Sequence, residues 1–99
     1  MTVYLSGEID HHSASAIRED IDEAAQRAKP RELVLDFRDV SFMDSSGIGL
    51  VMGRYALLQD WEGVLRLVNL SAQLNKVMKL AGLDKLALIE NTGKGGIAQ

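Results

Sequence analysis

Two adjacent serines, preceded by an aspartate and followed by two spaced glycines, are the residues of this chain best placed to do chemistry: Phe42-Met43-Asp44-Ser45-Ser46-Gly47-Ile48-Gly49. The apolar residues before Asp44 read as the end of a strand, and the spacing after Ser46 reads as a helix, so the serines fall where a helix opens. The first backbone N–H groups of a helix lack intrahelical partners, and a serine oxygen is a favoured cap for one of them. Capping is therefore one reading of Ser45 and Ser46. The other is chemical, because two hydroxyls exceed what one cap needs. Gly47 and Gly49 also cost roughly 1 kcal/mol each against alanine where a helix should nucleate. They thin the surface around the serines, as a surface approached closely by another protein would require. A phosphate placed here would meet free N–H groups and the positive end of the helix dipole, leaving the fold intact. It would also add a charge of about -1.5 to -2 beside Asp44. A partner fitted to the neutral site would then be repelled without any unfolding.

Other chemistries lack their parts. Asp44-Ser45-Ser46-Gly47 is not the G-x-S-x-G of a nucleophile elbow, and no base accompanies it, so a small serine hydrolase is the weaker alternative. Gly47-Ile48-Gly49 is no dinucleotide fingerprint, and no phosphate-binding G-x-x-x-x-G-K-[ST] occurs. The histidines are the adjacent pair His11-His12, which do not converge on a metal and read as solvated residues at a helix entry. No cofactor is expected. Cysteine is absent, which excludes disulfides and thiolate chemistry. The net charge of -3 is spread over interspersed signs, as in Arg18-Glu19-Asp20, and argues against nucleic acid as a partner. No run of about 20 apolar residues and no leader pattern appears, so a cytoplasmic protein with no membrane association is expected. The chain's 99 residues suit one domain.

The elements that must position the serines follow from periodicity. Val3-Tyr4-Leu5 ahead of Gly7 predicts a strand. Ile17, Ile21, Ala24, Ala25 and Ala28 predict a helix stopped by Pro30. Leu33-Val34-Leu35-Asp36-Phe37 predicts a strand covered on both faces, and Val40 to Met43 carries the chain to Asp44. Ile48, Val51, Met52 and Tyr55 form the expected buried stripe of a second helix running to about Gln59 or Asp60. Leu50 and Leu57 lie off that stripe, so burial under a loop and partner contact are both open for them. Gly53 is expected to allow tight packing against the sheet. Val64 to Val68 predicts a strand, Ser71 a cap for a third helix, and Gly82 its left-handed terminator. Leu86 to Ile89 predicts a last strand. The expected fold is α/β: a mixed sheet of about four strands with three or more helices against it, residues 1–90 forming the domain and 91–99 a flexible glycine-rich tail.

Leu5-Ser6-Gly7-Glu8-Ile9-Asp10-His11-His12, then Leu33 to Phe37, then Ser41 to Gly49 with Gly53-Arg54-Tyr55, resemble the STAS-domain anti-sigma factor antagonists, in particular those of the Bacillus sporulation type. The resemblance implies partner switching. The unphosphorylated antagonist binds an anti-sigma factor that is also a serine kinase, and so frees a sigma factor. That kinase phosphorylates the serine directly after the motif aspartate, here Ser45, and a serine phosphatase reverses the step. By the same matching Asp10, and with it Glu8, lies in a loop beside the switch serine. Asp10 thus has two open readings, helix cap and partner contact. Asp44, Ser46, Gly47 and Ile48 complete the implied partner surface, with Ser46 assigned to capping. Family members usually carry a further strand and a further helix at the two ends, so exposed strand edges and a homodimer are compatible with this chain. A STAS subunit of a stress-signalling or lipid-transport complex is the alternative within the fold.

Overall fold

The computed structural model describes residues 1–90; the predicted tail at 91–99 lies outside them. Strand and helix alternate: β1 (Thr2–Ile9), α1 (His11–Ala28), β2 (Glu32–Met43), α2 (Ser45–Leu58), β3 (Val64–Val68), α3 (Ala72–Leu80) and β4 (Leu88–Glu90), with short 3₁₀ turns at Gln59–Trp61 and Leu83–Lys85. The four strands lie in sequence order, β1-β2-β3-β4, and every pairing is parallel. The α/β class, the four strands and the three long helices are as expected. The mixed sheet is not, because among the described residues no strand runs against the others.

That order has a consequence for layering. Parallel crossovers are right-handed, and here each one steps in the same direction, so successive helices pile onto one face. Ile21 of α1, Leu50, Val51 and Leu58 of α2, and Leu74 and Met78 of α3 accordingly share one core with Leu5, Ile9, Leu33, Leu35, Phe37, Leu65 and Leu67 of the sheet. β2 was expected to be covered on both faces; instead Leu33, Leu35 and Phe37 are buried while Val34 and Asp36 between them are only half-buried. On the bare face Tyr4, Val64 and Leu88 are exposed. Arg66 lies there between Glu32 at 3.4 Å and Glu90 at 3.5 Å, and Asn69 holds the Asp36 carboxylate at 3.1 Å.

The helices begin and end where local chemistry dictates. Ser71 caps α3 by accepting the Leu74 N–H at 3.1 Å, and Gly82, at φ 82°, takes the left-handed turn after it, both as predicted. The buried stripe of α2 is displaced from the predicted one. Gly47, Leu50, Val51, Arg54 and Leu58 face inward, whereas Met52 is exposed and Ile48 and Tyr55 are half-buried. Leu50 is therefore core, not partner surface. The displacement arises because α2 packs against α1 as well as against the sheet, and its contact with α1 is polar. Arg54, 5 % exposed, meets Asp22 of α1 with Nε 2.9 Å from Oδ1. The N–H does not lie along that line, so the contact is an ion pair rather than a hydrogen bond, and Nη1 is buried with no hydrogen-bond partner among the described residues. Burial lowers the guanidinium's affinity for its proton, and the Asp22 charge opposes that.

The pair is asymmetric, because Asp22 keeps some contact with water while Arg54 does not. Removing the carboxylate strands a buried cation, whereas removing the guanidinium leaves an anion that can hydrate. Asp22→Ala should therefore cost about 3 kcal/mol in urea unfolding, at the low end for breaking a buried pair, and Arg54→Met should cost less than half of that. Equal losses would show that Asp22 is not the charge Arg54 depends on.

Candidate switch site

Both helix starts that matter lie at the same end of the sheet. β1 and β2 pair in parallel up to Ile9 opposite Met43, and the Asp44 N–H donates to the Ile9 carbonyl at 3.1 Å. Each strand then passes through one aspartate into a helix, so Asp10 and Asp44 stand side by side as the caps of α1 and α2. Asp10 Oδ1 accepts the backbone N–H groups of His12 and Ser13, both at 2.9 Å, while Ser13 Oγ accepts the Asp10 N–H at 3.0 Å, a reciprocal capping box. The Ser13 N–H, with smaller help from His12, holds the Asp10 carboxyl below its ordinary pKa. A depressed carboxylate contributes its stability above its unfolded pKa and loses it as pH falls through the folded one, so this cap is complete at neutral pH.

The cap of α2 differs from the expectation. Asp44 Oδ1 accepts the Ser46 N–H at 2.8 Å, and the Asp44 carbonyl accepts the Gly47 N–H at 2.9 Å. Ser46 was assigned to capping; it is instead the second residue of the helix and donates its backbone N–H to the cap. A carboxylate is the stronger acceptor beside the positive end of the dipole, and it stands one residue ahead of Ser45 and two ahead of Ser46. Both serines are thereby released from capping. Ser45 is the first helical residue, is exposed, and its hydroxyl makes no hydrogen bond among the described residues. Its side chain leans, as all helical side chains do, toward the helix N-terminus and solvent.

The surroundings are apolar and close-packed on one side and open on the other. A Cβ at Gly47 would run into the Met43 side chain and lie 3.4 Å from Ile9, so Gly47 is the position at which β1, β2 and α2 meet. At Gly49 and Gly53 a Cβ would meet nothing within 4 Å among the described residues. Gly53 thus does not serve tight packing against the sheet, because α2 turns Arg54 and Leu50 inward instead. Gly49 leaves an open notch one turn from Ser45. Ile48 is half-buried beside it, and Glu8 is exposed opposite Phe42 in the register. Phe42, 51 % exposed, was not singled out in the sequence; the alternation Leu33, Leu35, Phe37 breaks at the irregular pairing between Tyr4 and Glu8, which hid the face it would take. All the sequence-derived site residues, Glu8, Asp10, Asp44, Ser45, Ser46, Gly47 and Ile48, gather at this one end of the sheet.

The described residues hold no group of three acidic, histidine or cysteine side chains suited to a metal, and no helix long and apolar enough to cross a membrane. Comparison with known proteins is informative at the level of the whole chain. The STAS domain model matches residues 1–94. The chain is 36% identical over 86 residues to an anti-sigma F factor antagonist of Paenibacillus polymyxa, covering 87% of this chain and 74% of that one. It is 34% identical over 95 residues to an anti-sigma-B factor antagonist of Bacillus subtilis, covering 96% and 85%. Among solved structures, the anti-sigma factor antagonist SpoIIAA superposes in its unphosphorylated form with a TM-score of 0.79 at 33% identity (99% of this chain, 90% of that one). In its phosphorylated form SpoIIAA superposes with a TM-score of 0.70 at 36% identity (89% and 79%).

The two glycines should separate in stability. Gly47→Ala should lose about 1–3 kcal/mol through overpacking against Met43, and Met43→Ala in the same chain should recover part of that loss. Gly49→Ala should gain up to about 1 kcal/mol from helix propensity alone. Thermal melts of the variants check both signs.

Proposed function

The chain belongs to the STAS-domain anti-sigma factor antagonists, and we propose that it works as a partner-switching antagonist whose acceptor is Ser45. Unphosphorylated, it binds an anti-sigma factor serine kinase and thereby releases a sigma factor. ATP then supplies a phosphoryl group to Ser45 Oγ, with ADP and a proton as the other products, and the phosphorylated protein lets the kinase go. A serine phosphatase restores the first state. The protein itself is a regulatory binding module, formed by residues 1–90, with no turnover of its own. Its place beside the transcription machinery makes the cytoplasm its proposed location.

One observation carries the choice of residue: Asp44 caps α2, which leaves Ser45 exposed at the first helical position with its hydroxyl unengaged. A phosphate there meets the dipole's positive end and needs no rearrangement of the fold. To a partner seated on the site it adds about -1.5 to -2 charge beside Asp44, Asp10 and Glu8. Like-charge contact and the cost of burying a phosphate both oppose the complex. Glu8, Asp10, Asp44, Ser46, Gly47 and Ile48 make up the partner surface around Ser45, and the notch at Gly49 lets the partner's backbone come close. The relatives include antagonists named for sigma F and for sigma B, and the sigma factor displaced from the captured kinase separates those two circuits.

With the cognate kinase and ATP, one phosphate should enter the chain at Ser45, read by intact mass and peptide mapping, and Ser45→Ala should accept none. Ser45→Asp should keep its circular dichroism spectrum while its capture of the kinase falls at least tenfold. Phosphate on Ser46 in the Ser45→Ala protein would overturn the assignment, and an unfolded Ser45→Asp protein would overturn the argument from the helix start.

A further inference from the structure

The chain's only two histidines stand as the first two residues of α1. His12 gives its backbone N–H to the Asp10 cap, and its ring adds a small favourable charge interaction with the Asp10 carboxylate. Both residues are exposed, and the rings meet edge-on with centroids 5.6 Å apart. Their position is set by the pairing that sets Ser45. Ile9 is opposite Met43 and Asp10 stands beside Asp44, so His11 and Ser45 are the first residues of neighbouring helices. Side chains at both positions lean toward the same end of the sheet. Packed helices have axes about 8–10 Å apart, which an imidazole and a phosphoserine can span between them.

The charges around this point are one-sided. Glu8 and Asp10 flank the end of β1, and Asp44 precedes α2. α2 carries no charged side chain from Ser45 to Gly53, and its Arg54 is turned inward to Asp22. Arg18 lies about two turns along α1. Arg38 and Asp39, farther back on β2, face each other at 4.0 Å. A phosphate on Ser45 would therefore join three carboxylates, and the nearest groups able to take up a proton near neutral pH are the two imidazoles.

We propose that His11 and His12 are the proton-taking counter-charge of phosphorylated Ser45, so that phosphorylation at this site is coupled to proton uptake. The inference rests on Ser45 being the acceptor and adds its regulation. A phosphoserine's second ionisation and an imidazole's both fall in the neutral range, so a charge on either acts on the other. The phosphate raises the affinity of the histidines for protons, and the imidazolium lowers that of the phosphate. Above both ranges the full dianion faces the partner. As pH falls through them, His11 and His12 offset part of that charge. The charge contrast between the two states of the switch is thus smaller in acid than at pH 7.5.

Phosphoserine placed at position 45 by genetic code expansion tests this on the full chain without any kinase. A kinase that ignores Ser45 would defeat the functional reading but leave this measurement unaffected. Phosphorus NMR over pH 5–8 should show the phosphate ionisation rising by roughly half a pH unit in His11→Gln/His12→Gln. That is the effect of a unit charge about 6 Å away in a water-like dielectric. In the unsubstituted chain, the imidazole carbon-bound proton signals should titrate higher with phosphoserine than with serine at 45, by a similar amount. Phosphorus titrations that coincide with and without the histidines, or imidazole titrations unmoved by the phosphate, would overturn the proposal.

Discussion

The parallel pairing of β1 with β2 up to Ile9 and Met43 is the constraint on which the rest of the switch end depends. Strands in register end together, and each of these ends in an aspartate that opens a helix. Two helix starts are thereby brought side by side, and the Asp44 N–H bound to the Ile9 carbonyl ties the second to the first strand. Met43 then closes the gap by lying where any side chain at residue 47 would go. Glycine at 47 is thus a packing requirement, met at the cost of helix propensity at the point where α2 must nucleate. That cost is offset by the Asp44 cap and by the buried contacts of Leu50, Val51 and Leu58 farther along the helix.

Capping by Asp44 also settles what the serines are free to do. Had Ser45 or Ser46 capped the helix, its hydroxyl would be committed to a backbone N–H, and modifying it would remove the cap. The aspartate takes that task one residue earlier, which uncouples the stability of α2 from the chemical state of Ser45. The buried Arg54–Asp22 pair acts at the other end of the same helix. It fixes how α2 lies on α1 through a contact that tolerates little sliding, since a displaced Arg54 would leave its charge buried without a counter-ion. The first residues of both helices are thus held at a constant spacing by the sheet at one end and by an ion pair at the other.

Much of this was legible in the residues, and the exceptions have physical causes. The alternation of elements, the Ser71 cap, the Gly82 terminator and the stop at Pro30 all depend on local chemistry, which a single sequence displays. The gathering of Glu8, Asp10 and the segment from Asp44 to Ile48 was available through the motifs they share with a family. The stripe of α2 was misread because Arg54 looks like a surface residue until its partner on α1 is known, and that partner is a tertiary fact. The all-parallel sheet escaped for a related reason: periodicity shows which residues are strands but carries no direction. The choice between Asp44 and Ser46 as cap turned on two residues of register. That is the part of a helix least visible to periodicity and most decisive for which hydroxyl is left free.

A sheet wound in one direction with its helices on one face leaves the candidate site at the rim of the sheet, not in a cleft. No lid or second domain stands over Ser45 among the described residues, and no two-state element is needed to relay its modification. The information a phosphate adds at such a rim is local charge, and only a partner that has buried its own groups against that rim can read it. On the proposed assignment of Ser45, the fold would be the same in both states and the switching free energy would lie in the complex. On that reading the neighbours of Ser45 that count are the small and acidic ones. In the proposed switch Gly47 and Gly49 would let a partner come close enough for charge to be costly, and Asp44, Asp10 and Glu8 would set the potential to which the phosphate is added.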